Sequence, residues 1–146
     1  MSEVRVRVVR LDPDVPPLQP AREGDAGVDL RATQPATLKP GERALISTGI
    51  ALAIPQGFAG FVQPRSGMAI KKGLGVLNSP GLIDSGYRGE IKVIAINLDD
   101  QEMNIERGDR IAQLVILPVP HCTYEEVETL PESERGTGGF GSTGGS

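Results

Sequence analysis

The frequency of turn residues is the feature that most constrains the fold: the 146-residue sequence contains 19 glycines and 12 prolines. They separate short segments rich in β-forming residues, which run over residues 4–9, 43–54, 58–62, 91–98 and 111–119, and Thr48–Gly49 predicts a break within the second of these. Short strands at this spacing are typical of all-β sandwiches and barrels rather than of alternating βαβ units. We therefore predict an all-β, single-domain distorted jelly roll or β-barrel, with one short helix over Ser66–Lys72.

Composition and charge exclude several classes of partner. The formal net charge is −4 and the pI is about 5.0, so we expect no nucleic-acid partner bound through a basic face. The N-terminus has no apolar signal segment and no stretch is long enough to span a bilayer, so we expect no membrane partner. Cys122 is the single cysteine and His121 the single histidine, which predicts packing or surface roles and a cytoplasmic location.

The most informative stretch is residues 81–89, GLIDSGYRG, which precedes an alternating strand segment. It sets one acid, Asp84, and one aromatic side chain, Tyr87, on a turn marked by glycines. Loops with such residues often carry binding or catalytic groups. A tight hairpin whose aspartate caps its own turn has the same residue types, so this stretch alone leaves both interpretations open.

Four further glycine-bearing segments accompany it: GDAGVDL at 24–30, PRSGMA at 64–69, RGDRIAQL at 107–114 and RGTGGFGSTG at 135–144. In this order the five segments resemble the signature of the trimeric dUTPase family, the dUTP nucleotidohydrolases, in its bacterial type. The resemblance implies hydrolysis of dUTP to dUMP and pyrophosphate with Mg²⁺, which keeps uracil out of DNA and supplies dUMP for thymidylate synthesis. It also implies a homotrimer whose active sites are shared between subunits.

The resemblance assigns the recognition of the base and sugar to residues 75–92. Asn78 becomes the uracil-recognising side chain, although an asparagine before Ser-Pro-Gly is also a common turn former. Tyr87 lies against the deoxyribose and rejects a 2′-hydroxyl, and Asp84 is the general base that activates water for attack at the α-phosphorus. The base and sugar are lined by Leu82, Ile83 and the backbone around Lys92.

The phosphate and metal roles follow from the same resemblance. The start of the short helix offers N–H groups and a hydroxyl to an anion at Ser66 and Gly67, and Arg65 adds a charged donor. A plain N-cap serine at Ser66 is the alternative. Gln113 contacts the phosphates across a subunit boundary. Asp29 orients the hydration shell of Mg²⁺, where the alternative is an ordinary acid at a strand end.

The C-terminal segment differs in composition from the remainder of the chain. Residues 131–146 are polar and glycine-rich, too poor in apolar side chains to order by themselves, whereas residues 1–130 form the predicted barrel domain. A flexible end is one expectation, and the resemblance implies a lid that closes over the nucleotide. The lid residues would be Arg135, Phe140 stacked on the uracil, and Gly141, Ser142 and Thr143 beside the phosphates.

Two other functions remain open at this point. A dCTP deaminase shares the fold, but it uses a glutamate on the strand after the aromatic residue, where this chain has Ile94. A β-barrel that binds a nucleotide without catalysis is the second alternative. An assay of pyrophosphate and ammonia release from dUTP and dCTP separates the three.

Overall fold

The computed structural model describes residues 3–141. These residues form ten strands and one helix. Their bounds are β1 Arg7–Arg10, β2 Gly27–Arg31, β3 Ala36–Leu38, β4 Arg43–Ala53, β5 Phe58–Gln63, α1 Ser66–Lys72, β6 Leu74–Val76, β7 Gly81–Ile83, β8 Glu90–Asn97, β9 Met103–Ile105 and β10 Arg110–Pro118.

Two four-stranded antiparallel sheets enclose the core. Their strand orders are β1-β4-β8-β6 and β2-β10-β5-β7, and β3 and β9 form a separate pair. One apolar cluster takes residues from both sheets, among them Leu30, Val62 and Leu114 from one and Ile46 and Val93 from the other. Sheets that share one core in this way form a sandwich, which confirms the predicted all-β, jelly-roll-like fold.

The longer elements agree closely with the sequence predictions. The helix has the predicted bounds, and β5, β8 and β10 differ from the predicted segments by one or two residues. The expected N-terminal strand is shifted to β1, which is exposed because it is an edge strand paired only with β4. Five strands lie outside the predicted segments, namely β2, β3, β6, β7 and β9. All of them except β2 have only three residues, too few for a period of two to be recognised.

The predicted break at Thr48–Gly49 is wrong, because β4 continues through it. The pairing with β8 shifts register between Ser47 and Ala51, and Gly49 adopts a φ of 73° at this bulge. A side chain there would meet Thr33 and Val15, at 2.8 Å from the nearest atom of each. Glycine therefore marks a bulge inside a long strand rather than the end of one.

The segment that follows β1 is fixed to the body by Arg107. Its guanidinium donates to both carboxylate oxygens of Asp12, at 2.7 and 3.0 Å, and to a carboxylate oxygen of Asp14 at 3.0 Å. The hydrogen bond from Arg107, with the backbone N–H of Asp14, holds the pKa of the Asp12 carboxyl below its ordinary value. The same contact raises the pKa of Arg107.

Regular secondary structure ends with β10 at Pro118, and residues 119–141 are almost all exposed. The hydrogen bonds at the end of this segment are local, from Arg135 Nε to the Gly138 carbonyl at 2.6 Å and from the Gly136 N–H to Ser133 at 3.1 Å. Within residues 3–141, no helix combines the length and apolar character needed to cross a bilayer.

Candidate active site

A cavity of about 330 Å³, here called the base cavity, lies where β5 and β7 of one sheet meet β4 and β8 of the other. Its lining includes every residue outside the tail that was predicted to contact the base, the sugar or the attacking water. These are Asn78, Leu82, Ile83, Asp84, Tyr87 and Lys92. The structure therefore brings this half of the predicted site together in one place.

Local structure explains how β7 serves both the core and the cavity. It pairs with β5, with Leu82 opposite Phe61 and Ile83 opposite Gly60. Alternation along the strand buries Ile83 in the core and leaves Leu82 exposed at the cavity wall. The turn that follows is closed by a hydrogen bond of 3.1 Å from the Tyr87 N–H to the Asp84 carbonyl, so the acid and the aromatic ring share one turn.

Asn78 lies in the connection between β6 and β7, and its side chain is exposed. A Cβ on Gly81 would be 3.3 Å from Asn78 Nδ2, so the amide group packs directly against this glycine. The connection contains a cis peptide bond between Ser79 and Pro80. Backbone hydrogen bonds from Leu77 to Ile94 and from Ser79 to Val76 fix the connection to β8 and β6. The side-chain amide is thus held at the mouth of the base cavity.

A second cavity of about 330 Å³, here called the phosphate cavity, lies at the start of α1. It is lined by the predicted phosphate and metal residues Asp29, Arg65, Ser66, Gly67 and Gln113. Arg65 is the N-cap of the helix and Ser66 is its first helical residue, with no side-chain capping bond. The interpretation of Ser66 as a plain N-cap serine is therefore wrong, and the residue lines the phosphate cavity.

Three charged groups of the phosphate cavity are paired with one another. Asp29 lies 3.0 Å from Arg65 Nε and 3.7 Å from Arg110 Nη1, through different carboxylate oxygens. Gln113 is opposite Asp29 in the β10–β2 register, and its Nε2 donates to the Pro64 carbonyl at 2.9 Å. An anion entering this cavity would compete with Asp29 for both guanidinium groups.

The two cavities are distinct within one chain. No residue lines both of them. Asp29 is on β2 and Leu82 on β7, the opposite edges of one four-stranded sheet, so three strand spacings, about 14 Å, separate them. A single chain therefore presents two separate cavities rather than one continuous site.

The described lid residues, Arg135, Phe140 and Gly141, line neither cavity. Arg135 makes its hydrogen bond within the tail, and the Phe140 side chain is fully exposed with a φ of 52°. Gly141 is exposed as well. Ser142 and Thr143 lie outside the described residues. Their assignment, like the other site assignments, stays a prediction.

The sequence interpretation assigned no site role to three charged residues that line the cavities, among them Asp25 in the phosphate cavity. Glu90 lines the base cavity and Arg110 lines the phosphate cavity. A regular alternation would turn Arg110 toward the core with Ala112, but a bulge between them buries Ile111 and Ala112 together and leaves Arg110 outside. No sequence pattern predicts this bulge, so Arg110 could not be found from the sequence. Glu90 directly follows the informative stretch at residues 81–89, and this proximity could have identified it.

Comparison with known proteins agrees with this geometry. The sequence model of one protein family, dUTPase, matches residues 14–144. The chain belongs to the dUTPase family. A deoxyuridine 5′-triphosphate nucleotidohydrolase of Rhodococcus erythropolis is 55% identical over 145 residues, which cover 99% of this chain and 88% of the relative. A dUTPase-family relative of the same name from Corynebacterium glutamicum is 54% identical over 140 residues, covering 95% and 94%.

Solved dUTPase structures share the fold. A mutant dUTPase of Staphylococcus bacteriophage 80alpha, solved with dUpNHpp, has a TM-score of 0.87 and 30% identity, covering 96% of this chain and 98% of that one. A mutant dUTPase from phage phi11 of S. aureus, in which a structural Mg(II) ion is coordinated, has a TM-score of 0.80 and 26% identity, covering 88% and 99%. The jelly-roll-like sandwich is thus the dUTPase fold.

Proposed function

We propose that this chain is a dUTP nucleotidohydrolase that converts dUTP to dUMP and pyrophosphate in the cytoplasm. The observation that carries the proposal is the base cavity, which gathers an amide, an acid and an aromatic side chain, Asn78, Asp84 and Tyr87, around one nucleoside-sized space. Membership of the dUTPase family supports the same activity. The reaction removes dUTP as a source of uracil in DNA and supplies dUMP.

Base selection rests on hydrogen bonding in a narrow space. Uracil presents one donor between two acceptors, and the Asn78 amide supplies both a donor and an acceptor. The close packing of this amide against Gly81 supports a fixed orientation. The tight backbone of the connection leaves no room for the 5-methyl group of thymine. Tyr87 lies on the sugar side, where its ring excludes a 2′-hydroxyl.

Asp84 acts as the general base. Its side chain is exposed, and within residues 3–141 its carboxylate has no ion pair or hydrogen bond, so it is free to accept a proton. A water molecule held by Asp84 attacks the α-phosphorus and gives its proton to the carboxylate. The bond from the α-phosphorus to the bridging oxygen breaks, and pyrophosphate leaves. Such phosphoryl chemistry depends mostly on positioning and electrostatics.

The phosphate cavity binds the triphosphate. Arg65 exchanges its Asp29 partner for phosphate oxygens, while Ser66, Gly67 and Gln113 add uncharged donors. Asp29, now released, faces the ligand and can hold water molecules of a hydrated Mg²⁺. One carboxylate acting through water fits an ion that keeps several waters and is bound mainly by phosphates. When bound, Mg²⁺ neutralises the charge that develops on the leaving pyrophosphate.

The two cavities of one chain belong to different active sites in this proposal. In a homotrimer, the base cavity of one subunit faces the phosphate cavity of its neighbour, and the tail, residues 131–146, closes over the pair. The lid then supplies Arg135, Phe140, Gly141, Ser142 and Thr143. The separation of the cavities across the sheet supports this arrangement, because one chain alone does not complete the site.

The proposal is tested by following pyrophosphate and ammonia release from dUTP and from dCTP. We expect pyrophosphate from dUTP and no ammonia from either nucleotide. Ile94 lines the base cavity at the position where a deaminase requires an acid, so deamination lacks a proton carrier. Ammonia from dCTP would identify a deaminase instead. Tight binding of dUTP without any product would identify a non-catalytic nucleotide-binding barrel.

A further inference from the structure

The ring of Tyr87 folds back over its own turn and lies on Gly89. A Cβ placed on Gly89 would be 2.5 Å from the Tyr87 hydroxyl oxygen, 2.7 Å from Cζ and 3.0 Å from Cε1. Gly89 does not adopt a positive φ, so glycine is required here for space and not for backbone conformation. Gly86, in the same turn, would meet nothing within 4 Å. The turn thus contains one glycine that supports the ring and one that does not.

The hydroxyl end of the ring is held by Glu90. It donates to the Glu90 backbone carbonyl at 2.9 Å. The Glu90 side chain in turn accepts a hydrogen bond of 3.0 Å from the N–H of Gly49, the buried bulge residue of β4. Glu90 therefore connects the start of β8, and the carbonyl that holds the ring, to a bulge that packs against the core.

We propose that Gly89 and Glu90 form a support that holds the Tyr87 ring against the sugar, and that this support sets the selectivity for dUTP over UTP. The inference rests on the proposed role of Tyr87. An aromatic side chain that is 47% exposed has other rotamers available, and steric exclusion of one hydroxyl works only when the ring is fixed. Gly89 and Glu90 are positioning residues, since both act through Tyr87.

The first test compares Gly89→Ala with its matched control Gly86→Ala. The measured quantity is the ratio of kcat/KM for dUTP to kcat/KM for UTP. We expect Gly89→Ala to lower this ratio about tenfold, a typical size for a change of one methyl-sized contact, and Gly86→Ala to leave it unchanged. The new methyl meets the far end of a side chain that can move, so the melting temperature should change little.

The second test uses Glu90→Ala and Glu90→Gln. The amide oxygen of Glu90→Gln still accepts the Gly49 N–H, so this variant should keep most of the selectivity that Glu90→Ala loses. In a Tyr87→Phe background, which lacks the hydroxyl, Glu90→Ala should lower the ratio no further. Additive effects in this cycle, or equal ratios for wild type and a folded Glu90→Ala protein, would overturn the role of Glu90.

The controls separate this inference from the proposed function. A wild-type protein that does not hydrolyse dUTP would refute both. If Tyr87→Ala leaves the dUTP/UTP ratio unchanged while dUTP is hydrolysed, the sugar is recognised elsewhere and the support has no role in selectivity. If Tyr87→Ala lowers the ratio but Gly89→Ala behaves like Gly86→Ala, the inference fails and the proposed function stands.

Discussion

In the base cavity, the acid Asp84 and the cation of Lys92 have no ionic partner within residues 3–141. In the phosphate cavity, by contrast, Asp29 is already paired with two arginines. The pair between Asp29 and Arg65 is only 26% exposed on both sides, so solvent screens it incompletely. A nucleoside can enter the base cavity without displacing an ion pair. In the proposed function, a triphosphate in the phosphate cavity has to replace the pair between Asp29 and Arg65. We therefore expect the base cavity to determine which nucleoside is selected. We expect the affinity of the phosphate cavity for its ligand to depend on the exchange of Asp29 for phosphate at Arg65.

Substitution of Asp84, the unpaired acid of the base cavity, should have the largest effect on the rate of hydrolysis. Asp84→Asn keeps the shape of the side chain but removes the base, so single-turnover hydrolysis should slow by about 10²-fold or more. The dissociation constant for dUTP should change little. Asp100→Asn, at an exposed turn after β8, is the matched control and should be unaffected. Near-wild-type turnover by Asp84→Asn would place the catalytic base elsewhere.

Removal of the tail tests whether either cavity needs a cover. Truncation after Glu134 removes Arg135 and Phe140, whose described hydrogen bonds and exposure tie them only to the tail itself. The melting temperature should therefore stay constant. A lid acts mainly on the closed, reactive state, so kcat should fall by about tenfold, or about 1.4 kcal/mol of transition-state stabilisation, and KM should rise less. An unchanged kcat would mean that the tail is a flexible end.

The phosphate cavity is tested by removing the internal competitor. Asp29→Asn releases Arg65 and Arg110, so pyrophosphate should bind more tightly in the absence of metal, by up to about fivefold, the equivalent of about 1 kcal/mol. Turnover of dUTP with Mg²⁺ should fall in the same variant, because the water-binding carboxylate is lost. Titration calorimetry with and without a chelator measures the binding of pyrophosphate, and pyrophosphate release with Mg²⁺ measures the turnover of dUTP. If Asp29→Asn binds pyrophosphate more weakly than the wild type in the absence of metal, Asp29 does not compete with phosphate for the two arginines.

Asp12 is the structural counterpart of Asp29, an aspartate paired with an arginine but outside both cavities. Its pKa in the folded protein is below the ordinary value of 3.8, so its stabilising effect is complete above that pH and is lost as the pH falls through it. Asp12→Asn should therefore melt with a weaker dependence on pH below about 4 than the wild type. Its kcat should be unchanged at neutral pH. If the melting temperatures of the two proteins depend equally on pH, the pair between Arg107 and Asp12 does not contribute to the loss of stability in acid.

The sequence predicted the elements whose patterns are local. The alternation of Ile91, Val93 and Ala95 identifies β8, and the short helix is bounded by the turn residue Gly73. The resemblance also selected every polar residue that the structure gathers in the base cavity except Glu90. These features depend on residues near one another in the chain.

The remainder depends on contacts between distant segments. Gly49 is a bulge rather than a strand end because Val15 and Thr33 pack beside it, and no local pattern contains them. The sequence order of Asp29 and Leu82 likewise does not reveal that their strands form opposite edges of one sheet. The resemblance implied a site shared between subunits, but the position of the two cavities at opposite edges of one sheet could be recognised only in the folded chain.

Subunit mixing tests the central claim, that each active site combines cavities from two chains. One variant, Asp84→Asn, lacks the base, and the other, Arg65→Ala with Ser66→Ala, lacks phosphate contacts on a helix that buries no side chain. The two are co-expressed with different tags, and mixed trimers are purified through both. In a cyclic trimer of either composition one interface has both intact cavities, so the activity should be about one third of wild type. Mixed trimers as inactive as the two parent variants would show that each site is built within one chain.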